Sequence, residues 1–439
     1  MKKKSAFLMC LAAFMLSICL SGCSPFTRQT DSLLAAPKLT GELRPVQEAL
    51  EKSIVGKYSL KFPASGETKS AITLVDLNAD GSNEAVAFYS TSVDNTVTMH
   101  VSVLGSENGV WSCFSTQKIV AGGIERVHFV DTDGDGTKEV VVGWNVYRDV
   151  DKTVSVYDYT SKNLMTLIEE PYTIFALCDL DNGFSADLLT VYLDQASVSA
   201  TAKYFDINAR GVAQLGVCSL DPNVSAYYDP IIAKMSDSRY CLYVDCVKGT
   251  GLVTEVLYIE NGALVSPFYN AQTKETVDTY RPQLVPCRDF DNDGIPEIPI
   301  MISQPVDTKQ SLSAAYLTIW KSFDSKELID KFYTLMNYSD GYSLTLSKEL
   351  ALTSATVRNL DNRERIIYEY DYRKNKFGQE ILRVRTVSKT SFDSGIYNEG
   401  YIVLSKSDTQ VWLARLSEQS QNLGINEQTI KDMFKLIGG

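Results

Sequence analysis

Histidine is the scarcest chemically versatile residue in this sequence: His100 and His128 are the only two in 439 residues. Each stands alone in a strand-like segment, where a histidine most often packs or lies at a rim. The chain also lacks a Gly-x-Ser-x-Gly elbow, a Walker loop, a His-Glu-x-x-His pair and a Cys–His pair at catalytic spacing. These absences argue against the enzyme classes that the motifs define. Acid pairs remain as candidates for glycoside hydrolysis, but no feature selects two of them.

Strong helical periodicity is scarce as well, whereas short apolar runs separated by glycine and aspartate recur along the chain. This pattern favours a mainly β protein. The length permits a large core and two folded parts. The chain is acidic, with 54 Asp and Glu against 42 Lys and Arg. That balance argues against nucleic acid as a partner of the folded part.

The first residues have the pattern of an export signal. Three lysines at 2–4 precede an apolar segment at 5–20, which is short for a membrane span. The following Leu20-Ser21-Gly22-Cys23 resembles the bacterial lipoprotein box. The resemblance implies that Cys23 carries a diacylglycerol and becomes the first residue after cleavage. We therefore predict a signal peptide at 1–22, a flexible tether at 23–40 and attachment to the extracytoplasmic face of a bacterial cell membrane. An ordinary secretory signal is the alternative.

Six cysteines remain after Cys23, and their even number permits disulfides in an exported protein. Most lie inside apolar strand-like runs, such as Cys178 and Cys218, where a thiol packs as a small apolar group. No zinc-binding spacing occurs. We predict buried free thiols and leave one disulfide open.

A repeat of about 50 residues organises the chain from about Ser70, after a short helix with Leu43, Val46 and Leu50 on one face. Each unit combines an Asp-rich loop, an apolar strand and a second hairpin. Loops start at Asp76, Asp131, Asp179 and Asp289. The last interval is long enough for one more unit, near Ser236-Asp237-Ser238, whose Asp-rich loop has been lost. Pairs such as Asn108-Gly109 and Asn261-Gly262 supply hairpin turns.

These units predict a mainly β fold: a β-propeller of about five to six four-stranded blades over residues 41–336. A solenoid or two sandwiches would not explain a loop at the same place in each unit. Residues 337–439 predict a small C-terminal α/β domain, with a sixth blade as the alternative. Asn426 is placed to cap a closing helix. The apolar stripe of that helix would be Ile430, Met433, Phe434 and Ile437.

The Asp loops place oxygen-bearing side chains at alternate positions, which suits a hard cation because a divalent ion relieves the repulsion among crowded acids. The residues at positions 1, 3, 5 and 9 are Asp76, Asn78, Asp80 and Glu84; Asp131, Asp133, Asp135 and Glu139; Asp289, Asp291, Asp293 and Glu297. An EF-hand needs an acid at position 12, which here is Ala87, Val142 or Ile300. An acidic, solvated turn is the alternative.

An acid at position 9 and glycine at position 6 resemble the FG-GAP/VCBS repeats of integrin-type propellers. The resemblance implies calcium (Ca2+) bound by the side chains at positions 1, 3, 5 and 9 and by the carbonyls of Ser82, Thr137 and Ile295. The Asp179 copy, with Asp181, Gly183 and Asp187, lacks the position-5 acid and implies weak binding or none. More broadly, the chain resembles clostridial-type VCBS-repeat lipoproteins. It shares the lipobox, the 75–81 and 84–89 segments, 296–299, and Gly341-Tyr342.

Together these features predict a membrane-anchored binding or scaffold module whose ligand is an unidentified protein or glycan. Trp144, Tyr147, Tyr227 and Tyr228 offer aromatic surface for a binding rim or for blade interfaces. A subunit of a cell-envelope assembly is one alternative. A hydrolase acting on a polysaccharide or glycolipid is the other.

Overall fold

The computed structural model describes residues 41, 43–148, 151–183, 185–208, 211–305, 315–359, 362–397 and 399–437. The predicted signal peptide, the lipidation residue Cys23 and the tether up to residue 40 lie outside these ranges. Across the described ranges, none of the helices combines the length and apolar character needed to cross a membrane. The chain divides into two compact units near residue 170, and residues 132–135 group with the second.

The first unit consists of one helix and two antiparallel sheets. Helix α1 (Leu43–Ser53) buries Val46 and Leu50 against one face of sheet 1, as its apolar spacing predicts. Sheet 1 contains β1 (Tyr58–Leu60), β2 (Ile72–Val75), β3 (Glu84–Val93), β4 (Thr96–Glu107) and β5 (Val110–Val120). Sheet 2 contains β6 (Gly123–Val130), β7 (Glu139–Asn145), β8 (Thr153–Thr160) and β9 (Asn163–Pro171).

The second unit continues with four larger sheets and a two-stranded ribbon. Sheet 3 contains β10 (Ile174–Cys178), β11 (Asp187–Asp194), β12 (Ser199–Asn208) and β13 (Gly211–Leu220). Sheet 4 contains β14 (Ala226–Tyr227), β15 (Ile231–Lys234), β16 (Tyr240–Lys248), β17 (Gly251–Glu260) and β18 (Ala263–Val265). The ribbon pairs β19 (Tyr269–Asn270) with β20 (Glu275–Thr276).

Sheet 5 contains β21 (Ile298–Ser303), β22 (Tyr316–Phe323), β23 (Leu328–Asn337), β24 (Tyr342–Leu346) and, at its edge, β30 (Phe434–Leu436). Sheet 6 contains β25 (Ser354–Asn359), β26 (Glu364–Asp371), β27 (Lys376–Ser388), β28 (Ile402–Lys406) and β29 (Gln410–Leu416). The helices that accompany these sheets are α2 (Lys348–Thr353), α3 (Lys389–Asp393), α4 (Glu418–Asn422) and α5 (Glu427–Met433). The described protein is therefore mainly β.

Consecutive sheets share apolar cores within each unit. In the first unit, Val101 of sheet 1 and Val142 of sheet 2 belong to one core. In the second unit, sheet 4 is buried on both faces because successive strand residues point to opposite sides. Leu242 faces the core shared with sheet 3, and Tyr243 faces the core shared with sheet 5. A further core joins sheets 5 and 6.

The predicted hairpin turns are confirmed where Asn-Gly pairs occur. Asn108 and Gly109 have φ values of 50° and 79°, and Asn261 and Gly262 have φ values of 51° and 78°. Such positive φ values match the right-handed twist of the flanking strands, and glycine adopts them without a steric cost. The turns therefore fix the register of β4 with β5 and of β17 with β18.

The closing helix is shorter than predicted. Asn426 caps α5 as expected, accepting hydrogen bonds from the N–H groups of Gln428 and Thr429. However, α5 ends at Met433, and Phe434 begins β30, which pairs with β24. The apolar spacing suits a helix, but the open backbone edge of β24 offers hydrogen bonds that capture this segment as a strand.

The fifth sheet extends past residue 337, where the sequence predicts the start of a C-terminal domain. Strand β24 pairs with β23 across that point, and β30 adds a further edge. The rest of the C-terminal residues form sheet 6 and its helices. All six cysteines after residue 40 are free thiols, as predicted. Trp144 is buried, and its Nε1 donates to Ser155 Oγ at 3.0 Å.

Candidate metal centres

The Asp loops occupy equivalent positions in their sheets. The loops that start at Asp76, Asp131 and Asp179 connect β2 to β3, β6 to β7 and β10 to β11, which are antiparallel neighbours, and their position-9 acids begin β3, β7 and β11. The Asp289 loop is closed by a bridge between Arg288 and Glu297, and β21 follows directly. The position-9 acid of each loop therefore lies at or next to the start of a core strand.

The glycine at position 6 is explained by backbone geometry. Gly81, Gly136 and Gly294 have φ values of 85°, 90° and 86°, which favour glycine over other residues. In each loop the N–H of this glycine donates to the position-1 aspartate, at 3.0, 2.9 and 2.8 Å respectively. This hydrogen bond curls the loop back on its first carboxylate.

The predicted site residues differ in exposure by position. Buried residues are Glu84, Glu139 and Glu297; half-buried residues are Asp76, Asp131, Asp133, Thr137, Asp289 and Ile295; exposed residues are Asn78, Asp80, Ser82, Asp135, Asp291 and Asp293. The position-9 acids are thus the deepest members of each set. In two loops this acid accepts the N–H of position 2. Leu77 donates to Glu84 at 3.0 Å, and Phe290 donates to Glu297 at 2.8 Å.

The structure brings together the acids of positions 1, 3 and 9. Three such groups have their candidate ligand atoms within 4.8 Å of one another: Asp131, Asp133 and Glu139; Asp179, Asp181 and Asp187; Asp289, Asp291 and Glu297. Each group offers three carboxylate oxygens and could hold a metal ion. In the Asp76 loop, position 3 is Asn78, which contributes an amide in place of a carboxylate.

The position-5 acids make other contacts. Asp293 Oδ1 accepts the Ile295 N–H at 2.8 Å, and its Oδ2 lies 3.4 Å from Lys331 Nζ. Asp80 accepts the Ser82 N–H at 2.7 Å and the Asn78 amide at 3.0 Å. These contacts shape the turn that presents the position-7 residue.

Burial disfavours the ionised form of the position-9 acids when no cation lies beside them. Burial raises the pKa of Glu297 to about 7, and the negative charges of Asp291, Asp293 and Asp289 act in the same direction. Burial also raises the pKa of Glu84. Glu297 Oε1 is buried and has no hydrogen-bond partner among the described residues. A cation among these oxygens would supply that partner and stabilise the ionised form.

The Asp179 loop, which lacks the position-5 acid, still brings its acids together. It does so through Tyr204, a residue that the sequence did not indicate. The position-9 acid of the loop is Asp187, one methylene shorter than glutamate. Tyr204 bridges the gap: its hydroxyl donates to Asp187 and accepts the Leu180 N–H at 2.9 Å. Burial raises the pKa of Asp187 to about 7. The three acids therefore gather in this copy too, although it lacks the position-5 acid.

The place where a fifth loop is missing holds an ion pair. The turn between β15 and β16 contains Asp237, which accepts hydrogen bonds from the guanidinium group of Arg239 at 2.8 and 3.0 Å. The Met235 and Arg239 backbones close the turn at 2.8 Å. In sheet 4, a short turn with its own ion pair therefore occupies the place that the Asp loops hold in the other sheets.

No family model and no curated protein matches the chain. Among solved structures, it resembles an exotype rhamnogalacturonan lyase with 12% identity over 72% of this chain and 76% of that chain, at a TM-score of 0.31. It also resembles a rhamnogalacturonan lyase of Bacillus licheniformis, with 12% identity, coverage of 67% and 74%, and a TM-score of 0.30. The Dos1 propeller matches with 10% identity, coverage of 66% and 65%, and a TM-score of 0.28. Similarity at this level transfers no activity, substrate or residue role.

Proposed function

We propose that this chain is a lipid-anchored, extracytoplasmic binding or scaffold module, built as a β-propeller of five to six blades with calcium in its Asp loops. Its ligand would be a protein or a glycan, and Cys23 would attach it to the membrane. The buried, unpartnered Oε1 of Glu297 beside Asp289 and Asp291 is the observation that carries the metal part of this proposal.

The sheet arrangement supports propeller blades. Sheets 2 and 3 are four-stranded meanders, and the strands that follow the Asp loops in sheets 1 and 5 have the same order. Within each unit, a sheet packs on the next sheet along the chain. Successive face-to-face packing of four-stranded antiparallel sheets is the arrangement that a propeller uses. Sheet 6 would be the additional blade or the C-terminal domain.

The donor set favours a hard cation such as calcium. Carboxylate oxygens at positions 1, 3 and 9 suit calcium or magnesium, and calcium accepts the irregular coordination of a flexible loop more readily. The family resemblance also implies calcium. Because the position-9 acid lies at or next to the start of a core strand, a bound ion would hold the loop to the sheet. We therefore assign the ion a structural role.

Two other functions remain hypotheses: a subunit of a cell-envelope assembly and a hydrolase of a polysaccharide or glycolipid. Both are compatible with a rigid β body held at a membrane surface.

Isothermal titration of the chelator-treated chain with calcium tests the proposal. We expect the parent to bind calcium. The variant with both Asp289→Asn and Asp291→Asn should bind one calcium ion fewer. A matched control is Asp393→Asn combined with Glu427→Gln, which removes two helix acids that pair with Lys389 and Lys431. The control should bind like the parent. Absence of calcium binding by the parent, or equal binding by the Asp289/Asp291 variant, would contradict the metal assignment.

A further inference from the structure

A small pocket lined by arginines lies in the second unit, apart from the Asp loops. It has a volume of about 330 Å³ and lies where the turn after β23 meets the turn between β25 and β26. Its charged lining residues are Asp340, Arg358, Arg363, Glu364 and Arg365. The lining thus carries three guanidinium groups and two carboxylates in a chain whose net charge is −12.

Both carboxylates of the pocket form ion pairs with arginines. Arg363 Nε donates to Asp340 Oδ1 at 2.7 Å, and Asn337 Nδ2 donates to Asp340 Oδ2 at 2.9 Å. Glu364 is buried and pairs with Arg385, whose Nη2 lies 2.6 Å from Glu364 Oε1. Glu364 Oε1 also lies 3.7 Å from Arg383 Nη1, so the charges of both acids are balanced by arginines other than Arg358 and Arg365.

The other two arginines have no such partner. Arg365 is 6% exposed, and its Nε is a buried donor without a hydrogen bond. In the described part of the chain, no carboxylate lies within ion-pair distance of Arg358 or Arg365. The two residues are direct partners across antiparallel strands β25 and β26. Burial lowers the pKa of Arg365; Tyr342 and the charge of Asp340 act in the opposite direction, and the charge of Arg358 acts in the same direction as burial.

This arrangement is unfavourable without a ligand. An uncompensated buried charge is costly, and like charges placed directly opposite each other on neighbouring strands are destabilising. An anion between the two guanidinium groups would remove both penalties. A guanidinium group presents paired N–H donors that match the oxygens of a carboxylate or a phosphate.

We propose that this pocket binds a small oxyanion, carried by a carboxylate or a phosphate group, between Arg358 and Arg365. Its volume lies at the small end of ligand sites and suits a group of monosaccharide size or below. Arg363 lines the same pocket, but Asp340 balances its charge, so Arg358 and Arg365 carry the uncompensated positive charge. The proposal goes beyond the calcium-loop module and does not rest on it, because no Asp-loop residue lines the pocket.

The test is thermal denaturation of the full chain in sodium phosphate, sodium D-glucuronate and sodium chloride at equal ionic strength and fixed free calcium. Three variants are compared: Arg358→Ala, Arg365→Gln and the control Arg373→Ala. Arg373 is an exposed arginine in the β26–β27 turn, so its loss changes the net charge equally. All variants keep the Asp loops, so any effect of the anions on calcium is common to them.

We expect phosphate or glucuronate to raise the melting temperature of the parent and of Arg373→Ala above the value in chloride. The dissociation constant derived from this shift should be at least about tenfold weaker in Arg358→Ala, because a charge-assisted hydrogen bond is lost. In chloride alone, Arg358→Ala should be at least as stable as the parent, since a like-charge repulsion is removed. A response to phosphate alone or to glucuronate alone identifies which oxyanion the pocket takes.

The proposal is overturned if neither anion stabilises the parent beyond chloride. It is equally overturned if Arg358→Ala keeps the full anion response. Arg358 is half-buried, so this variant still decides the question if Arg365→Gln fails to fold. A marked loss of stability of Arg358→Ala in chloride would instead assign the arginine a purely structural role and contradict the proposal.

Discussion

Glu297 shows at the scale of one residue how an Asp loop is tied to its sheet. The side chain is fully buried directly before β21, one oxygen accepts the Phe290 N–H, and the other has no hydrogen-bond partner among the described residues. Its neighbours Asp289 and Asp291 are acids. Burial of such a carboxylate is favourable when it is protonated or when a cation lies beside it. The free energy of unfolding should therefore depend on pH.

Without metal, Glu297 should make the protein less stable as the pH rises. Its folded-state pKa is about 7 against an ordinary value of 4.5. A raised pKa gives a stabilising contribution that is complete below pH 4.5 and is lost as the pH passes about 7. In chelator, the free energy of unfolding of the parent should fall over this window by on the order of 3 kcal/mol more than that of Glu297→Gln. Urea denaturation across this pH range measures the difference.

Calcium should offset the fall above pH 7 in the parent, because the ion binds the ionised carboxylate. Identical pH profiles for the parent and Glu297→Gln would contradict the assignment. The parent and Glu297→Gln retain the same other buried acids, so the difference between their pH profiles reports the contribution of Glu297 alone.

Tyr204 offers a second test at residue scale. Tyr204→Phe removes the hydroxyl that links the Leu180 N–H to Asp187, and it leaves a buried donor unsatisfied. We expect a loss of about 1–3 kcal/mol in the free energy of unfolding. Tyr58→Phe is the control, because its hydroxyl bonds Glu51 at an exposed position. Equal effects of the two substitutions, measured by urea denaturation, would show that the bridge contributes nothing.

The sequence points to the Asp-loop acids because they lie within nine consecutive positions, and the structure brings the acids of positions 1, 3 and 9 together in three loops; their role as metal ligands stays a prediction. Tyr204 was missed because it reaches Asp187 from the neighbouring strand β12. The only signal was an aspartate where the other copies have glutamate. The pocket at Arg358 and Arg365 was missed for a similar reason. The pocket depends on the register of β25 with β26 and on the ion pair between Arg363 and Asp340. Neither can be predicted from the spacing of residues along the sequence.

At the scale of elements, a buried ion pair holds the connection that follows sheet 4. Asp245 of β16 accepts Arg281 Nη2 at 2.6 Å and the Cys287 N–H at 2.7 Å. Arg281 has no exposed surface. The pair lies between β16 and the segment that leads into the Asp289 loop, so it fixes the direction from which that loop begins.

Removing one partner of this pair should be strongly destabilising. Arg281→Met leaves Asp245 buried without its cation, and we expect a loss of about 3–5 kcal/mol in the free energy of unfolding. Lys389→Met is the matched control, because it breaks an exposed pair with Asp393 and should cost at most about 1 kcal/mol. Chemical denaturation of both variants measures the contrast, and a loss as small as that of the control would refute the role of the pair.

Element boundaries were predictable where the local pattern and the tertiary pairing agree. Helix α1 buries Val46 and Leu50, the face that the sequence predicts. The segment after Met433 differs because its spacing suits a helix but β24 supplies hydrogen bonds to a strand. Local periodicity does not reveal which sheet edge is left open.

At the scale of the whole molecule, the proposed anchor is independent of the fold. Cys23→Ser should move the protein from the membrane fraction to the medium or to the soluble extracytoplasmic fraction, because the acylated cysteine is removed. Cell fractionation with immunoblotting measures this redistribution. Retention of Cys23→Ser in the membrane fraction would show that another feature holds the protein there.

The central claim is that bound calcium stabilises the folded chain through its Asp loops. The most direct measurement is a thermal denaturation of the chain in excess calcium and in chelator, with magnesium as the ionic control. Calcium binding to the folded state alone should stabilise it by about 2.7 kcal/mol per site at one hundred times the dissociation constant. We therefore predict a calcium-specific rise in melting temperature that Asp289→Asn combined with Asp291→Asn reduces. Equal melting temperatures in calcium and chelator would contradict the claim and leave the loops as acidic turns.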